Sequence, residues 1–198
     1  MPAFIETICL NDGVPQHLDL HQARLKRTLH HLGTMPMPEH NLQLYIPSEV
    51  PQGRCKWRVV YSAFGVSSSE VSRYIPRPVQ RLKLIEEPTL DYTYKSTDRH
   101  ALELCFAQRG AADDVLITRH GLLTDTTIAN VALFDGKCWY TPRQPLLAGV
   151  RRELLLVTGQ LVKADIHYTD LSNYTHIALF NALLPFGELL LPITNVQA

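Results

Sequence analysis

Short hydrophobic segments, each closed by a turn dipeptide or a proline, are the feature of this sequence that most limits its fold. Asn11-Asp12-Gly13, His120-Gly121 and Asp135-Gly136 predict tight turns, because Asn, Asp and Gly tolerate the backbone that such turns need. Strands are predicted at 4–10, 56–63, 114–118, 128–134, 138–141, 161–168 and 177–180, with further strands within 71–87. Strands and helices intermix without strict alternation, which predicts an α+β fold with mixed sheets.

Three segments have a helical pattern instead. Leu25, Leu29 and Leu32 fall on one helical face, and we expect this helix to start at a capping Asp19 after an extended stretch at 17–20. Gly33 is the expected end of that helix. Further helices are predicted at 97–108 and 149–158.

The composition changes near Pro88, which we interpret as a domain boundary. The sequence therefore predicts a small N-terminal α/β lobe at 1–87 and a larger C-terminal lobe at 88–198. Lobes of this size are ordinary for a chain that buries its own core.

Charge and hydropathy exclude several classes of partner. Nineteen basic and nineteen acidic residues cancel, so the chain has no overall field to hold a nucleic acid. Asn181, Pro185, Gly187 and Glu188 interrupt the most apolar stretch, so we expect no membrane span, and we see no signal peptide. The four cysteines are widely spaced, which predicts reduced, mostly buried thiols and a cytoplasmic protein.

Familiar catalytic and metal-binding motifs are missing. The sequence has no GxGxxG, GxxxxGK[ST], HExxH or GxSxG. His17 and His21 have the spacing of a helical metal pair, but their neighbours alternate as in a strand. We interpret both as exposed surface groups and predict no metal.

Composition and spacing alone name no cofactor, but a few polar residues would suit pyridoxal 5'-phosphate. This cofactor requires a lysine for its aldehyde, a carboxylate for its ring nitrogen and a cationic cradle for its phosphate. Lys95, Asp125 and Arg24 could supply these groups, and the helix start at Gly149 could bind the phosphate. Each residue alone has an ordinary interpretation: a solvated lysine, a turn aspartate, a surface arginine.

Four segments, in this order, resemble the class IV aminotransferase family of fold type IV pyridoxal-phosphate enzymes. They are His21-Gln22-Ala23-Arg24-Leu25; Tyr94 to Arg99; Gly121 to Asn130; and Thr141-Pro142-Arg143 through Leu147 to Arg152, with Phe4-Ile5-Glu6-Thr7 upstream. The resemblance implies that Lys95 is the catalytic Schiff-base lysine, Arg24 the phosphate-binding arginine and Asp125 the ring-nitrogen partner. It also implies that the backbone of Ile128, Val150 and Arg151 lines the cofactor. A small-molecule substrate, a cofactor between the lobes and a homodimer are further implications.

The same resemblance bears on the reaction. Lys95-Ser96-Thr97-Asp98-Arg99 and Asn181-Ala182-Leu183-Leu184-Pro185 are similar to segments of aminodeoxychorismate lyases, which would imply elimination of pyruvate to give 4-aminobenzoate for folate biosynthesis. An aminotransferase acting on a branched-chain or D-amino acid is the alternative, since it uses the same first steps. A catalytically degenerate binding module is the second alternative.

Some residues depart from the family pattern. Asp125 is one methylene shorter than the family's glutamate, so we expect a backbone shift or a bridging water at the ring nitrogen. The hairpin that precedes the first strand in longer members is missing, which predicts a shortened N-terminus. Arg73 and Arg77 are the candidates for binding a substrate carboxylate.

Overall fold

The computed structural model describes residues 2–197, which divide into two compact units. The first unit extends to Ile75 and also contains Tyr94–Asp98; the second contains Pro76–Thr93 and the chain from Arg99 onward. The lobe boundary predicted at 87/88 lies inside the second unit and stays a prediction.

The first unit is an antiparallel sheet covered on one face by a helix. Its strands are β1 (Phe4–Asn11), β2 (Val14–Pro15), β3 (Arg54–Ser62) and β4 (Gly65–Arg73), in the order β2-β1-β3-β4, and its helix is α1 (Leu18–His31). Two 3₁₀ helices, Pro38–His40 and Leu42–Tyr45, follow α1.

The core of this unit follows from the periodicity of its elements. Residues of β3 alternate between buried and half-buried, as expected for a strand with one face on the core. Trp57 and Tyr61 of β3 pack with Leu25 and Leu29 of α1 and with Ile8 of β1. These contacts fix the helix against the sheet.

The second unit is built on a mixed nine-stranded sheet within the described residues. Its strands are β5 (Leu82–Glu86), β6 (Asp114–Arg119), β7 (Leu122–Thr126), β8 (Asn130–Phe134), β9 (Trp139–Pro142), β10 (Val162–Ala164), β11 (His176–Phe180), β12 (Leu189–Pro192) and β13 (Val196–Gln197). Its helices are α2 (His100–Ala107) and α3 (Val150–Val157), with 3₁₀ helices at Tyr168–Asn173 and Ile193–Asn195. The main path runs β10-β9-β8-β7-β6-β5-β13, and β11 pairs with β8 and β12.

Pairing in this sheet is both parallel and antiparallel. Strands β5 and β6, β5 and β13, and β9 and β10 are parallel, whereas the β6-β7-β8-β9 run is antiparallel. The predicted α+β class with mixed sheets is therefore confirmed. No helix in residues 2–197 is long and apolar enough to span a membrane.

The turn predictions are confirmed. Asp12 and Gly13 both have positive φ, at 48° and 83°, in the two-residue loop between β1 and β2. His120 and Gly121 also have positive φ, at 51° and 76°, in the loop between β6 and β7. Both loops have the sign pattern of the hairpin turn that suits the twist of paired strands.

Two helix starts were predicted wrongly. The stretch at 17–20 is not extended, because α1 begins at Leu18 after a left-handed His17, and Asp19 lies in the first turn rather than at the cap. The second helix begins at His100 instead of residue 97, because Ser96 pairs with Phe4 of β1 and Thr97 donates to the carbonyl of Ala3 at 2.9 Å. Long-range pairing overrides the local helical pattern there.

The thiols are as predicted. Cys9, Cys55 and Cys105 are buried and Cys138 is exposed, and within residues 2–197 no disulfide joins any two of them.

Candidate active site

Lys95 lies on an irregular segment between β5 and α2. Its carbonyl accepts a hydrogen bond from the amide of Ile5 at 2.8 Å, which ties the segment to β1 within the first unit. The side chain is half-buried. Its positive charge contributes to lowering the pKa of His21, so the amine is an electrostatic neighbour of that imidazole.

Glu6 of β1 is the centre of a buried polar group in the first unit, which we call the Glu6 cluster (Glu6, His21 and Arg24). Arg24 donates through Nε to Oε1 at 2.9 Å and through Nη2 to Oε2 at 2.5 Å. His21 Nδ1 is 2.6 Å from Oε2. Glu6 is fully buried, and His21 and Arg24 are 1% and 9% exposed.

Electrostatics set the charge of each member of this cluster. Burial alone would raise the pKa of Glu6, but the Arg24 guanidinium and the His21 hydrogen bond lower it to about 2. Burial lowers the pKa of His21, and Glu6 only partly opposes this effect. The cluster at neutral pH therefore holds an ionised carboxylate, a guanidinium and a neutral imidazole.

The neutral imidazole leaves one polar atom without a partner. Because Nδ1 bonds to Glu6, Nε2 is the remaining ring nitrogen, and it is buried with no hydrogen-bond partner among the described residues. Leaving a buried polar atom without a hydrogen bond costs about 1–3 kcal/mol of folding free energy. A bound group that donates a hydrogen bond to Nε2 would therefore be stabilised there. The interpretation of His21 as an exposed surface group was wrong, because α1 turns it onto Glu6.

Arg24, the predicted phosphate ligand, directs its Nε and Nη2 toward a carboxylate of its own chain. The predicted contact with a phosphate is untested by this arrangement and stays a prediction. Glu6 and His21 were not predicted as site residues. The Glu6-Thr7 pair and His21 could have indicated them, since both lie in segments that resemble the family.

Asp125 lies on β7 in the second unit, at the centre of what we call the Asp125 cluster (Asp125, Asn130 and Arg152). Its Oδ1 accepts from Asn130 Nδ2 at 2.8 Å, and its Oδ2 accepts from the amide of Leu147 at 2.9 Å. Burial raises its pKa to about 6, and the Leu147 amide, Asn130 and the charge of Arg152 limit the rise. The carboxyl is therefore firmly held, and the two donors and Arg152 favour its charged form against the effect of burial.

Arg152 and Arg151 have different roles at the start of α3. Arg152 is 5% exposed and donates to Thr141 Oγ1 at 3.2 Å and to the carbonyl of Pro142 at 2.7 Å. Arg151 donates through Nε to the carbonyl of Asn181 at 3.0 Å, which anchors the segment after β11. Arg152 and Asn130 were missed as candidates, and adjacent arginines give no sequence signal for which one turns inward.

The first turn of α3 supplies the backbone donors proposed for Val150 and Arg151, because the first amides of a helix have no intrahelical acceptor. Gly149 precedes this turn. A Cβ at Gly149 would lie 2.0 Å from Asn130 Oδ1, so the helix start and the Asp125 cluster approach too closely for any side chain.

This close approach predicts a non-additive mutation. Gly149→Ala is expected to lower the free energy of unfolding by about 1–3 kcal/mol, because Asn130 must move. In an Asn130→Ala background the same change should cost much less. Urea unfolding of the four proteins of this cycle tests the prediction, and equal costs in both backgrounds would contradict it.

Residues 127–128 are clamped from both sides in the second unit. Thr127 Oγ1 donates to Asp114 at 2.7 Å, and Arg99 Nη2 donates to the Thr127 carbonyl at 2.8 Å. Ile128 follows and is 41% exposed.

The two candidates for binding a substrate carboxylate lie in different surroundings. Arg77 pairs with Asp114 at 2.8 Å, whereas Arg73 is exposed on β4. The prediction that the chain binds no metal rests on the sequence alone. Within residues 2–197, no three metal-ligating side chains form a cluster.

Comparison with known proteins identifies the family. The model described as Amino-transferase class IV matches residues 3–195. The chain therefore belongs to the class IV aminotransferase family, and the family resemblance inferred from Lys95 and its neighbouring segments is confirmed.

Two proteins are similar in sequence. An uncharacterized protein of Haemophilus influenzae is 33% identical over 188 residues, 92% of this chain and 98% of that protein. A Schizosaccharomyces pombe protein named "Putative aminodeoxychorismate lyase" is 37% identical over 82 residues, 38% of this chain and 36% of that protein.

Solved structures share the fold. A "putative 4-amino-4-deoxychorismate lyase" from Haemophilus somnus 129pt has a TM-score of 0.83 at 25% identity, over 93% of this chain and 97% of its own. A "Putative amino-acid aminotransferase" from Mesorhizobium loti has a TM-score of 0.82 at 24% identity, over 96% and 99% of the two chains. A hypothetical aminotransferase from Mycobacterium tuberculosis in its PLP-bound form has a TM-score of 0.72 at 16% identity, over 93% and 78%.

Proposed function

We propose that the chain is a pyridoxal-phosphate-dependent lyase resembling aminodeoxychorismate lyase, which releases pyruvate and leaves 4-aminobenzoate. The observation that carries the proposal is Asp125, a buried carboxyl group that two donors fix on β7, shortly before the exposed Ile128. A held carboxylate of this kind is what the ring nitrogen of the cofactor requires.

The remaining residues fit the same cofactor. Lys95 offers a half-buried primary amine, and the Glu6 cluster offers a guanidinium with an unpartnered imidazole nitrogen beside it. The start of α3 offers backbone donors suited to a phosphate. When bound, pyridoxal phosphate supplies an electron sink for the carbanion formed at the substrate α-carbon.

Each proposed role follows from the chemistry of the side chain. Lys95 would hold the cofactor through its amine and, when that amine is free, would take the proton from the substrate α-carbon. Asp125 would keep the ring nitrogen of the cofactor protonated. Arg24, with Glu6 fixing its orientation, provides counter-charge for the phosphate, and the backbone of Ile128, Val150 and Arg151 lines the cofactor.

The choice of a lyase is supported by the segment after β11. Asn181 Oδ1 accepts from the amides of Leu183 and Leu184, both at 2.9 Å, and its Nδ2 donates to the Ile128 carbonyl at 3.0 Å. The segment that resembles the lyases is therefore rigidly joined to the backbone proposed to line the cofactor. The names of the Haemophilus somnus and Schizosaccharomyces pombe proteins agree with this choice.

A direct assay tests the reaction. The purified protein, saturated with pyridoxal phosphate, is incubated with aminodeoxychorismate, and 4-aminobenzoate and pyruvate are measured in equal amounts. Branched-chain and D-amino acids with a 2-oxo acid acceptor form the parallel assay. Amino transfer without 4-aminobenzoate would establish the aminotransferase instead, and failure to retain the cofactor at all would leave a binding module.

Asp125→Ala should separate cofactor binding from chemistry. The variant is expected to retain pyridoxal phosphate through a desalting column, because Lys95 and the phosphate donors remain. Turnover should fall by roughly 100-fold, since a ring nitrogen without its proton is a poorer electron sink. Asp170→Ala, which removes an exposed aspartate of the same unit, is the matched control. Full activity of the Asp125 variant would refute its assignment as the ring-nitrogen partner.

A further inference from the structure

A cavity of about 300 Å³ lies in the second unit at the hairpin end of β6 and β7. The residues that matter for its chemistry are Pro88, Arg119, Leu122, Arg143, Ala164 and Asp165. Its lining does not include Asp125, Ile128, Val150 or Arg151. It is therefore separate from the residues of this unit proposed to bind the cofactor.

Backbone hydrogen bonds fix the walls of this cavity. The amide of Leu123 donates to the Ile166 carbonyl at 2.8 Å, and the amide of Arg143 donates to the Ala164 carbonyl at 2.8 Å. The amide of Tyr168 donates to the Gly121 carbonyl at 2.9 Å. These bonds join the hairpin, the end of β9 and the segment after β10, so the cavity is preformed, as small-molecule sites usually are.

The hairpin turn at the cavity is also held in place. Glu86 Oε1 accepts from the amide of His120 at 2.6 Å, and Glu86 Oε2 accepts from Thr118 Oγ1 at 2.5 Å. A Cβ at Gly121 would lie 2.1 Å from His167 Nε2, and its φ is +76°. Only glycine fits both the backbone and the space there.

The polar side of the cavity is rich in unused donors. Arg119 is half-buried, and its Nη1 makes a 3.4 Å bond to the Leu90 carbonyl, but it has no carboxylate partner within residues 2–197. Arg143 uses Nε to pair with Asp165 at 2.9 Å, which leaves both of its Nη groups. A guanidinium has five N–H donors, so both residues can bind a carboxylate through a fork.

The cavity lining also has an apolar part. Pro88, Leu122 and Ala164 supply its accessible apolar surface, because Leu123 and Ile166 beneath are only 2% and 1% exposed. A highly charged anion would leave this apolar surface uncovered and would lie close to Asp165. We propose that the cavity binds a small carboxylate carrying a compact apolar body, with the carboxylate on Arg119 and Arg143 and the body on Pro88, Leu122 and Ala164.

Pivalate is the probe for the first test, with pivalamide as its uncharged isostere; it is chosen because it does not resemble the proposed product 4-aminobenzoate. Isothermal titration of the purified protein with pivalate should give one site per chain, and pivalamide should bind at least tenfold more weakly. Arg119→Gln and Arg143→Gln should each weaken pivalate binding on the order of tenfold. Arg81→Gln, which removes an exposed arginine of the same unit, should change nothing.

A second variant and a second background keep the test independent of the proposed function. Ala164→Leu should fill the cavity and abolish binding while leaving the circular dichroism spectrum unchanged. Lys95→Ala should bind pivalate as the unaltered protein does, since Lys95 does not line the cavity. Pivalate binding that survives both Arg119→Gln and Ala164→Leu, or that is lost in Lys95→Ala, would overturn the proposal.

Discussion

Lys95→Ala protein is expected to lose both covalent cofactor and turnover. After borohydride treatment and denaturation, the unaltered chain should keep one pyridoxyl group, found by mass spectrometry on the peptide that contains Lys95. The variant should keep none, because no other amine is proposed to reach the aldehyde. Turnover should fall by roughly 10⁴- to 10⁶-fold, as it does when the group that forms the covalent bond is removed.

The fold should survive this change. The segment around Lys95 is attached to β1 through its backbone, by the bond from the Ile5 amide to the Lys95 carbonyl at 2.8 Å. A change of less than about 1 kcal/mol in the free energy of unfolding is therefore expected. Lys163→Ala, which removes an exposed lysine on β10, is the matched control and should behave as the unaltered protein. A pyridoxyl group retained by the Lys95 variant would mean that another amine carries the cofactor.

The same variant has a readout that does not need the cofactor. The charge of Lys95 is one of the causes that lower the pKa of His21. Removing it should raise the pKa of His21, which can be followed by NMR titration of the imidazole in cofactor-free protein. An unchanged titration would mean that the Lys95 amine lies away from the Glu6 cluster.

Local features were the part of the fold that could be predicted. The Asp12-Gly13 and His120-Gly121 turns follow from backbone preferences of two residues, and the structure has both. Strand β7 was not predicted as a strand, because its Thr124-Asp125-Thr126 run is polar. Its burial depends on pairing with β6 and β8, which no local pattern contains.

The candidate site shows the same division. Lys95, Arg24 and Asp125 were found through segments that resemble a family, without knowledge of their neighbours. His21 was predicted to lie on the surface. It is buried because Glu6, on another element, forms a hydrogen bond with its imidazole. Arg152 was missed because only the direction of α3 distinguishes it from Arg151. Partners distant in sequence decide which polar residues are buried.

Glu6→Gln is expected to destabilise the first unit strongly. The substitution leaves the Arg24 guanidinium buried beside a neutral amide, and removing one partner of a buried pair costs about 3–5 kcal/mol. Urea unfolding at pH 7 measures the loss. Glu70→Gln, on the exposed face of β4, is the control and should change the free energy of unfolding by about 0.5 kcal/mol or less.

The pH dependence of that loss identifies its cause. Folding lowers the pKa of Glu6 from 4.5 to about 2, so its contribution is present above pH 4.5 and disappears as the pH falls toward 2. The contribution corresponds to about 3 kcal/mol.

Asp125 acts in the opposite direction: its pKa rises from 3.8 to about 6, so protonating it relieves a cost as the pH falls. Subtracting the Glu6→Gln curve from that of the unaltered protein cancels Asp125, because both proteins contain it, but it does not cancel His21, whose pKa Glu6 raises. The comparison is therefore made with His21→Asn in both proteins. The difference should then shrink between pH 5 and the lowest pH at which both proteins still fold, and a constant difference would show that the Glu6 carboxylate is not held by charge.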